Sequence, residues 1–313
     1  MSALLFPGQG SQIVGMGSEL HSSFDLVKNI FSQADDKLNY PISKIILDGP
    51  ENELQLTKNT QPAILTVSYS IFKVLKDEFN FDFSSFKYFA GHSLGEYSAL
   101  VCSDSLNFKD ALYLLHERGK AMQEAVPVGN GKMIAVLGTE IDNLKNLLKL
   151  NKKDEEICEI ANDNANGQVI LSGERNCIDT FGNVLKNRKI KFIPLNVSAP
   201  FHCSLMLPAA KVMKEKIDKV NFESPKVEIF SNVTANPEKN PLNIKNLLVE
   251  QIYSTVRWRE TLLNMVKKGI KNYIEVGPGK VLTGMAKRTL KNVNCFSLNS
   301  IVDIKNLSNE LKK

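Results

Sequence analysis

Phe86-Lys87-Tyr88-Phe89-Ala90-Gly91-His92-Ser93-Leu94-Gly95-Glu96-Tyr97-Ser98-Ala99-Leu100 is the stretch on which the fold turns. Its first five residues are mostly aromatic and apolar and read as a short buried strand. Gly91 to Gly95 fits G-x-S-x-G, and a helix follows through about Cys102. A serine between a strand and a helix is the setting that motif needs, because the sharp turn holds the hydroxyl clear of the sheet. The flanking glycines let strand and helix approach without a Cβ clash. The helix N-terminus places partial positive charge where an oxyanion would form.

Working outward, residues 3–6 read as another buried strand, stopped by Pro7-Gly8. Helical periodicity follows over about 22–37 and 61–78, with Thr60 as N-cap of the second and Pro62 in its first turn. Another helix spans about 107–125. The middle of the chain changes character. Lys132 to Gly138 reads as a strand, 141–150 as a helix, 156–161 and 168–172 as strands, 174–187 as a helix and 190–195 as a strand. That order, βαββαβ, is the ferredoxin-like unit. It is bracketed by Pro127-Val128-Gly129-Asn130-Gly131 and by Pro194 to Pro200. The later chain returns to α/β, with a strand near 226–230, helices near 243–253 and 257–268, and a strand at 272–276. Gly277-Pro278-Gly279 leads into a last helix.

The 313 residues suffice for a large domain with a smaller insert. At 43% hydrophobic and 23% charged, usage is that of a soluble globular chain, with disorder expected only at ends such as Lys312-Lys313. No apolar run approaches the ~20 residues of a membrane helix. Met1 to Phe6 lacks a basic region and a cleavage-type site, so no signal peptide is expected. Cys102, Cys158, Cys177, Cys203 and Cys295 form no C-x-x-C pair, which points to reduced thiols in a cytoplasm. The net charge of +5 comes without a dense basic run interleaved with aromatics, which argues against nucleic acid.

A serine hydroxyl needs a base. Of the four histidines, His92 adjoins Ser93 and should diverge from it at the turn. His21 sits at a polar helix boundary, and His116 lies inside a helix beside Glu117. His202 lies in Ser198-Ala199-Pro200-Phe201-His202-Cys203, a loop after an apolar strand, and is the candidate base. Cys203 lacks the strand-turn-helix setting of a nucleophile. No Asp or Glu stands out as a third partner, and a backbone carbonyl is the other way to orient the imidazole. Arg118 shares a helix face with Ala111, Leu114 and Met122. An arginine there is either half of an internal ion pair or a fork held for a substrate carboxylate. Spacing leaves both readings open.

Gly8-Gln9-Gly10-Ser11-Gln12-Ile13 misses G-x-G-x-x-G at Ile13. Gly131-Lys132-Met133 misses the P-loop at Met133, with Val126 in place of its first glycine. There is no H-E-x-x-H and no cysteine cluster for zinc. Neither a metal nor a cofactor is expected.

Phe6-Pro7-Gly8-Gln9-Gly10-Ser11-Gln12 together with Gly91 to Leu100 resembles the malonyl-CoA:acyl carrier protein transacylases of bacterial fatty-acid synthesis. So do Ala161-Asn162, Gln168 to Gly173, Asn232-Val233-Thr234-Ala235 and Glu275 to Gly279, in order from residue 6 to about 286. The resemblance implies an α/β-hydrolase-like large domain, 1–127 and 197–313, with a ferredoxin-like subdomain at 128–196. It implies acylation of Ser93, His202 as base, and an oxyanion hole from the N–H groups of Gln9 and Leu94. Arg118 would bind the malonyl carboxylate. Gln251, from the L-x-x-Q segment, would lie at the site with its backbone carbonyl orienting the base, and Asn162 would lie nearby. Phe201 before His202 is similar to the malonyl-selecting pattern of polyketide acyltransferase domains. The substrates implied are malonyl-CoA and the phosphopantetheinyl arm of an acidic acyl carrier protein, with a monomer expected. Two departures stand out: Thr255 and Asn166 occupy positions where the family often has proline. Lysines around 264–290 are candidates for CoA phosphates or the carrier, or simply an exposed helix face. Two rival readings use the same residues: a serine esterase or thioesterase, and a carrier-binding homologue without catalysis.

Overall fold

The structure, a computed structural model, describes residues 1–151 and 155–310. The expected Lys312-Lys313 tail lies outside them. The chain is mixed α/β with two sheets. Its strands are β1 (Ser2–Phe6), β2 (Phe86–Gly91), β3 (Gly131–Leu137), β4 (Cys158–Ala165), β5 (Gln168–Glu174), β6 (Lys191–Pro194), β7 (Glu228–Phe230), β8 (Pro237–Glu238), β9 (Asn272–Val276) and β10 (Asn294–Leu298). The larger sheet runs β10-β9-β1-β2-β7-β8 and is parallel except for β8. The smaller runs β4-β5-β3-β6 and is antiparallel throughout.

Side-chain alternation explains why the central strands are apolar on both faces. In β1, Leu4 and Phe6 join the main core with helix Thr57–Lys73, while Ala3 and Leu5 face a second core built on Trp258, Leu262 and Leu282. β2 repeats this, with Phe89 on the first face and Ala90 on the second. A third core fills the small sheet, where Ile134, Val136, Val169 and Leu171 meet Leu144, Phe181 and Leu185 of its two helices.

The two sheets are joined along β4. Val256 N–H donates to the Ala161 carbonyl and Asp163 N–H to the Val256 carbonyl. Thr255 Oγ1 donates to the Ile160 carbonyl at 2.5 Å, a bond proline at that position has no hydroxyl to make. Arg259 Nε reaches both carboxylate oxygens of the buried Asp163 at 2.9 and 3.0 Å.

Several boundaries differ from the sequence reading. The helix expected from 61 starts at Thr57, so Thr60 is interior; its hydroxyl donates to the Leu54 carbonyl instead of accepting as a cap. It ends at Lys73 in a π-helical turn, Val74–Glu78. The helix expected over 22–37 breaks at Phe24, whose extended backbone separates Ser18–Ser23 from Asp25–Leu38. β4 starts and ends later than 156–161, its register interrupted by two irregularities. Helices Ile42–Asp48, Leu207–Asp218 and Ile301–Glu310, and strand β10, have no counterpart in the sequence reading. No described helix is long and apolar enough to cross a membrane.

The turn between β2 and helix Gly95–Cys102 is closed so tightly that side chains are excluded. A Cβ on Gly91 would lie 1.8 Å from the Gly95 carbonyl carbon, and one on Gly95 would lie 2.2 Å from the Phe6 carbonyl oxygen. Gly284, exposed on helix Val281–Thr289, has nothing within 4 Å of the same position. Gly95→Ala should therefore lower the unfolding free energy measured by urea titration by roughly 3 kcal/mol or more through overpacking. Gly284→Ala should raise it by about 0.5–1 kcal/mol through helix propensity. Equal effects of the two changes would refute the packing argument.

Candidate active site

Ser93 has φ of 54°, in the left-handed region, at the junction of β2 and helix Gly95–Cys102. That conformation costs a non-glycine residue roughly 1–2 kcal/mol and needs outside support. Asn232 supplies it. Its Oδ1 accepts from the Ser93 N–H at 2.7 Å, and its Nδ2 donates to the Gly91 carbonyl at 2.7 Å. Its own N–H donates to Glu96 Oε2 at 3.1 Å. One buried amide thus clamps both sides of the bend.

His202, 109 residues further on, places Nε2 2.8 Å from Ser93 Oγ. Its Nδ1 lies 2.8 Å from the Gln251 carbonyl. A carbonyl only accepts, so Nδ1 carries the proton and Nε2 presents its lone pair to the serine. His202 also has a left-handed backbone, φ 57°. The residues after it are fixed from the small sheet, where Glu159 accepts from the Ser204 N–H and hydroxyl at 2.9 and 2.7 Å. Burial, then the Arg118 charge, pushes the imidazole down to about 3, against the Gln251 hydrogen bond. His202 is therefore neutral across the neutral pH range and able to take a proton.

Arg118 comes from helix Phe108–Glu124 and is 1% exposed. Gly119 beside it lets this helix touch the backbone of Thr57 and Lys58; a Cβ there would sit 2.5 Å from the Lys58 Cα. The guanidinium donates from Nη1 to Gln61 Oε1 at 2.7 Å, and from Nη2 to Gln251 Oε1 at 2.8 Å and Ser93 Oγ at 3.0 Å. Its Nε has no partner among the described residues. No described carboxylate lies within ion-pair distance. Burial opposes the Arg118 charge, and Tyr97 and then Glu96 support it; Glu96 is reached through Gln251 Nε2, which donates to Glu96 Oε2 at 2.7 Å and to the Ser93 carbonyl at 3.1 Å. Burial pushes the Glu96 carboxyl up to about 7, opposed by Asn232, Gln251 and Arg118.

These groups face a cleft of about 240 Å³ between the two sheets. Gln9, Leu94, Asn162 and Phe201 line it with Ser93, Arg118 and His202, so every residue singled out from the sequence except Gln251 is at its wall. Gln251 sits behind Arg118 and His202 and holds both. Neither the Gln9 nor the Leu94 N–H has a paired acceptor among the described residues. His92 does diverge: its Nε2 pairs with Asn164 Oδ1 at 2.8 Å and its ring meets Trp258 edge-on. His116 is held by Tyr40 and the Lys58 carbonyl, and His21 packs on Phe31. Cys203 is buried against Pro200 and Ser172, with its thiol pushed up to about 11 by burial.

Asn232, Gln61, Thr57 and Glu96 carry much of this network and were assigned no role from sequence. Asn232 and Glu96 stood inside quoted motifs, which is the one signal that could have flagged them. Gln61 and Thr57 were visible only as polar residues at the start of an apolar helix.

A family model for the acyl transferase domain matches residues 3–311. The malonyl CoA-acyl carrier protein transacylase of Bacillus subtilis (strain 168) is 40% identical over 298 residues, which are 95% of this chain and 92% of that protein. The structure of acyl-carrier-protein-S-malonyltransferase from Bartonella henselae superposes with a TM-score of 0.96 at 39% identity, over 100% of this chain and 99% of that one. A type II PKS acyl-carrier protein in complex with its malonyl-transacylase gives 0.94 at 37% identity, over 98% and 99%. A match along nearly the whole length, in sequence and in backbone alike, makes this chain a member of the acyl transferase domain family, among the malonyl CoA-acyl carrier protein transacylases.

Proposed function

We propose that the protein transfers malonyl from CoA to the pantetheine thiol of an acyl carrier protein through a malonyl ester on Ser93. The observation that carries the proposal is a buried arginine with no described carboxylate in ion-pair reach, beside a serine hydrogen-bonded to a neutral imidazole. A cation left with neutral acceptors is suited to an anionic ligand, and a malonyl group brings one.

In the first half-reaction Ser93 Oγ attacks the thioester carbonyl carbon and its proton passes to His202 Nε2. The oxygen that becomes negative is received by the N–H groups of Gln9 and Leu94. The C–S bond breaks and CoA leaves as a thiol with the proton from His202. In the second half the carrier thiol gives its proton to His202 and attacks the ester carbon. The Ser93 oxygen departs, recovers the proton, and the malonyl thioester of the carrier is released. The Gln251 carbonyl keeps the Nδ1 proton in place throughout, doing what a triad carboxylate does elsewhere. The scheme asks for no metal and no cofactor. The reading extends to a monomeric cytoplasmic enzyme, with an α/β-hydrolase-like domain at 1–127 and 197–313 and a ferredoxin-like insert at 128–196. The βαββαβ order of the small sheet supports the insert, and the strand-serine-helix turn supports the larger domain.

The whole-length likeness to transacylases favours transfer over hydrolysis on the same scaffold, and a non-catalytic binder would have no use for two strained residues held at hydrogen-bond distance. The transfer reading accounts for both.

Three measurements test it. Incubated with malonyl-CoA, the wild type should gain one malonyl group by intact mass and Ser93→Ala none; a labelled alanine variant would rule the assignment out. Arg118→Ala should lose malonyl transfer by roughly 10²-fold or more while acetyl transfer falls far less, since only malonyl has a free carboxylate. Equal losses would make the arginine structural. Because the imidazole is depressed below its usual value, it stays unprotonated as pH falls through the range where a free histidine titrates. Single-turnover acylation should thus be nearly as fast at about pH 5 as at about pH 7. A decline centred on the ordinary histidine value would contradict the burial described for His202.

A further inference from the structure

We propose that Thr57 is a positioning residue for the oxyanion hole, acting through the Gln9 side chain, and that it links that hole to Arg118. The inference rests on the roles given above to Ser93, His202 and the Gln9 N–H. Gln9 follows β1 in an irregular segment, where no ladder or helix fixes the orientation of its peptide. Side-chain hydrogen bonds hold the segment instead. Ser11 Oγ donates to the Gly8 carbonyl at 2.8 Å and the Gly10 N–H to Gln12 Oε1 at 2.7 Å. The bond that reaches residue 9 itself comes from Thr57, whose Oγ1 lies 2.8 Å from Gln9 Oε1.

The protons of this contact and its neighbours run in one direction. Arg118 can only donate, so the Gln61 atom 2.7 Å from Nη1 is the carbonyl oxygen. Gln61 then turns its Nε2 to Thr57 Oγ1, at 3.1 Å. Thr57 accepts from Gln61 and gives its own proton to the Gln9 carbonyl oxygen. The chain Arg118 to Gln61 to Thr57 to Gln9 is therefore polarised in one direction, starting at a cation. Thr57 and Gln61 share a helix face one turn apart and are 1% and 2% exposed. A valine would fill the same space without a buried hydroxyl, so packing alone does not account for threonine.

The chain gives the site a property that separate contacts would not. The cation that receives the acyl carboxylate and the peptide that receives the oxyanion are registered to each other through two side chains of a single helix. The distance between the two ends of the substrate is thereby built into the start of helix Thr57–Lys73.

The test is the rate of Ser93 acylation in single turnover, followed by intact mass with malonyl-CoA and with acetyl-CoA. Thr57→Val removes the hydroxyl, and Gln9→Ala removes its acceptor while keeping the backbone N–H. Each should slow acylation roughly tenfold, and equally for both acyl groups, because both form the same oxyanion. The double variant should be no slower than the slower single one, since both changes delete one hydrogen bond. Thr57→Ser should restore the wild-type rate. Wild-type rates in both single variants, multiplied losses in the double variant, or a loss confined to malonyl-CoA would each overturn the proposal. If Thr57→Val does not fold, Gln9→Ala at its half-buried position and Thr57→Ser still decide. A wild type that takes up no acyl group at Ser93 removes the proposal together with the mechanism beneath it. An acylated wild type with unaffected variants removes the Thr57 link alone.

Discussion

A guanidinium shut away from water, held by neutral oxygens and the face of Tyr97 with no described carboxylate in ion-pair reach, is the constraint around which this molecule is arranged. Leaving a buried cation so is unfavourable by several kcal/mol unless the surroundings are rigid and well hydrogen-bonded. The surroundings of Arg118 are both. Gln61 and Gln251 present fixed carbonyl oxygens, and each has its own amide nitrogen committed elsewhere. Those commitments reach the rest of the site. Gln251 connects the arginine to the base through its main chain and to Glu96 through its side chain. Asn232 and Glu96 brace the strained turn that carries Ser93. Arg118 and Ser93 are parts of one buried polar network, in which few members could change alone.

That network sets the electrostatics. His202 sits within the field of Arg118 and out of contact with water, so its charged form is opposed twice. An anion docked on the arginine would relieve the second opposition. In the proposed mechanism, proton transfer to Nε2 is thus easiest with an acyl group bearing a carboxylate in the cleft, and selectivity and activation would be consequences of the same charge.

How much of this could be read from the residues depends on what each feature leaves in the sequence. Strands β1, β2 and β9 were legible because a parallel strand covered on both faces must be an apolar run. Ser93 was legible because a tight strand-to-helix bend demands glycines at fixed spacing, and the packing distances at Gly91 and Gly95 show why. His202 emerged because only four histidines compete for one role. Arg118 stayed ambiguous on spacing, since no pattern reveals whether an acid waits across the core. Thr57, Gln61, Glu96 and Asn232 were illegible as a group. Two amides, a hydroxyl and a carboxyl from three separate segments converge by tertiary packing, and such convergence has no period. The start of helix Thr57–Lys73 was misplaced for a related reason. Thr60 has the right chemistry for a cap, but its hydroxyl is drawn to the Leu54 carbonyl by the helix folded just before it.

The cleft has a floor and a roof of different origin. The serine bend stands on the parallel sheet and the arginine helix on the helices packed against it, while Met133, Asn162 and Ile170 hang from the antiparallel sheet, which also fixes the residues after His202. The two are sewn together along β4 by main-chain bonds at Val256, by the Thr255 hydroxyl and by the Arg259–Asp163 pair. Exclusion of water from the acyl ester therefore depends on a seam, and not on the stability of either sheet by itself. Were the seam to open with the floor intact, the serine would be uncovered and the His202 loop would lose its Glu159 brace. Water would then compete with the thiol for the ester, and a transferase would decay into a wasteful hydrolase before it unfolded.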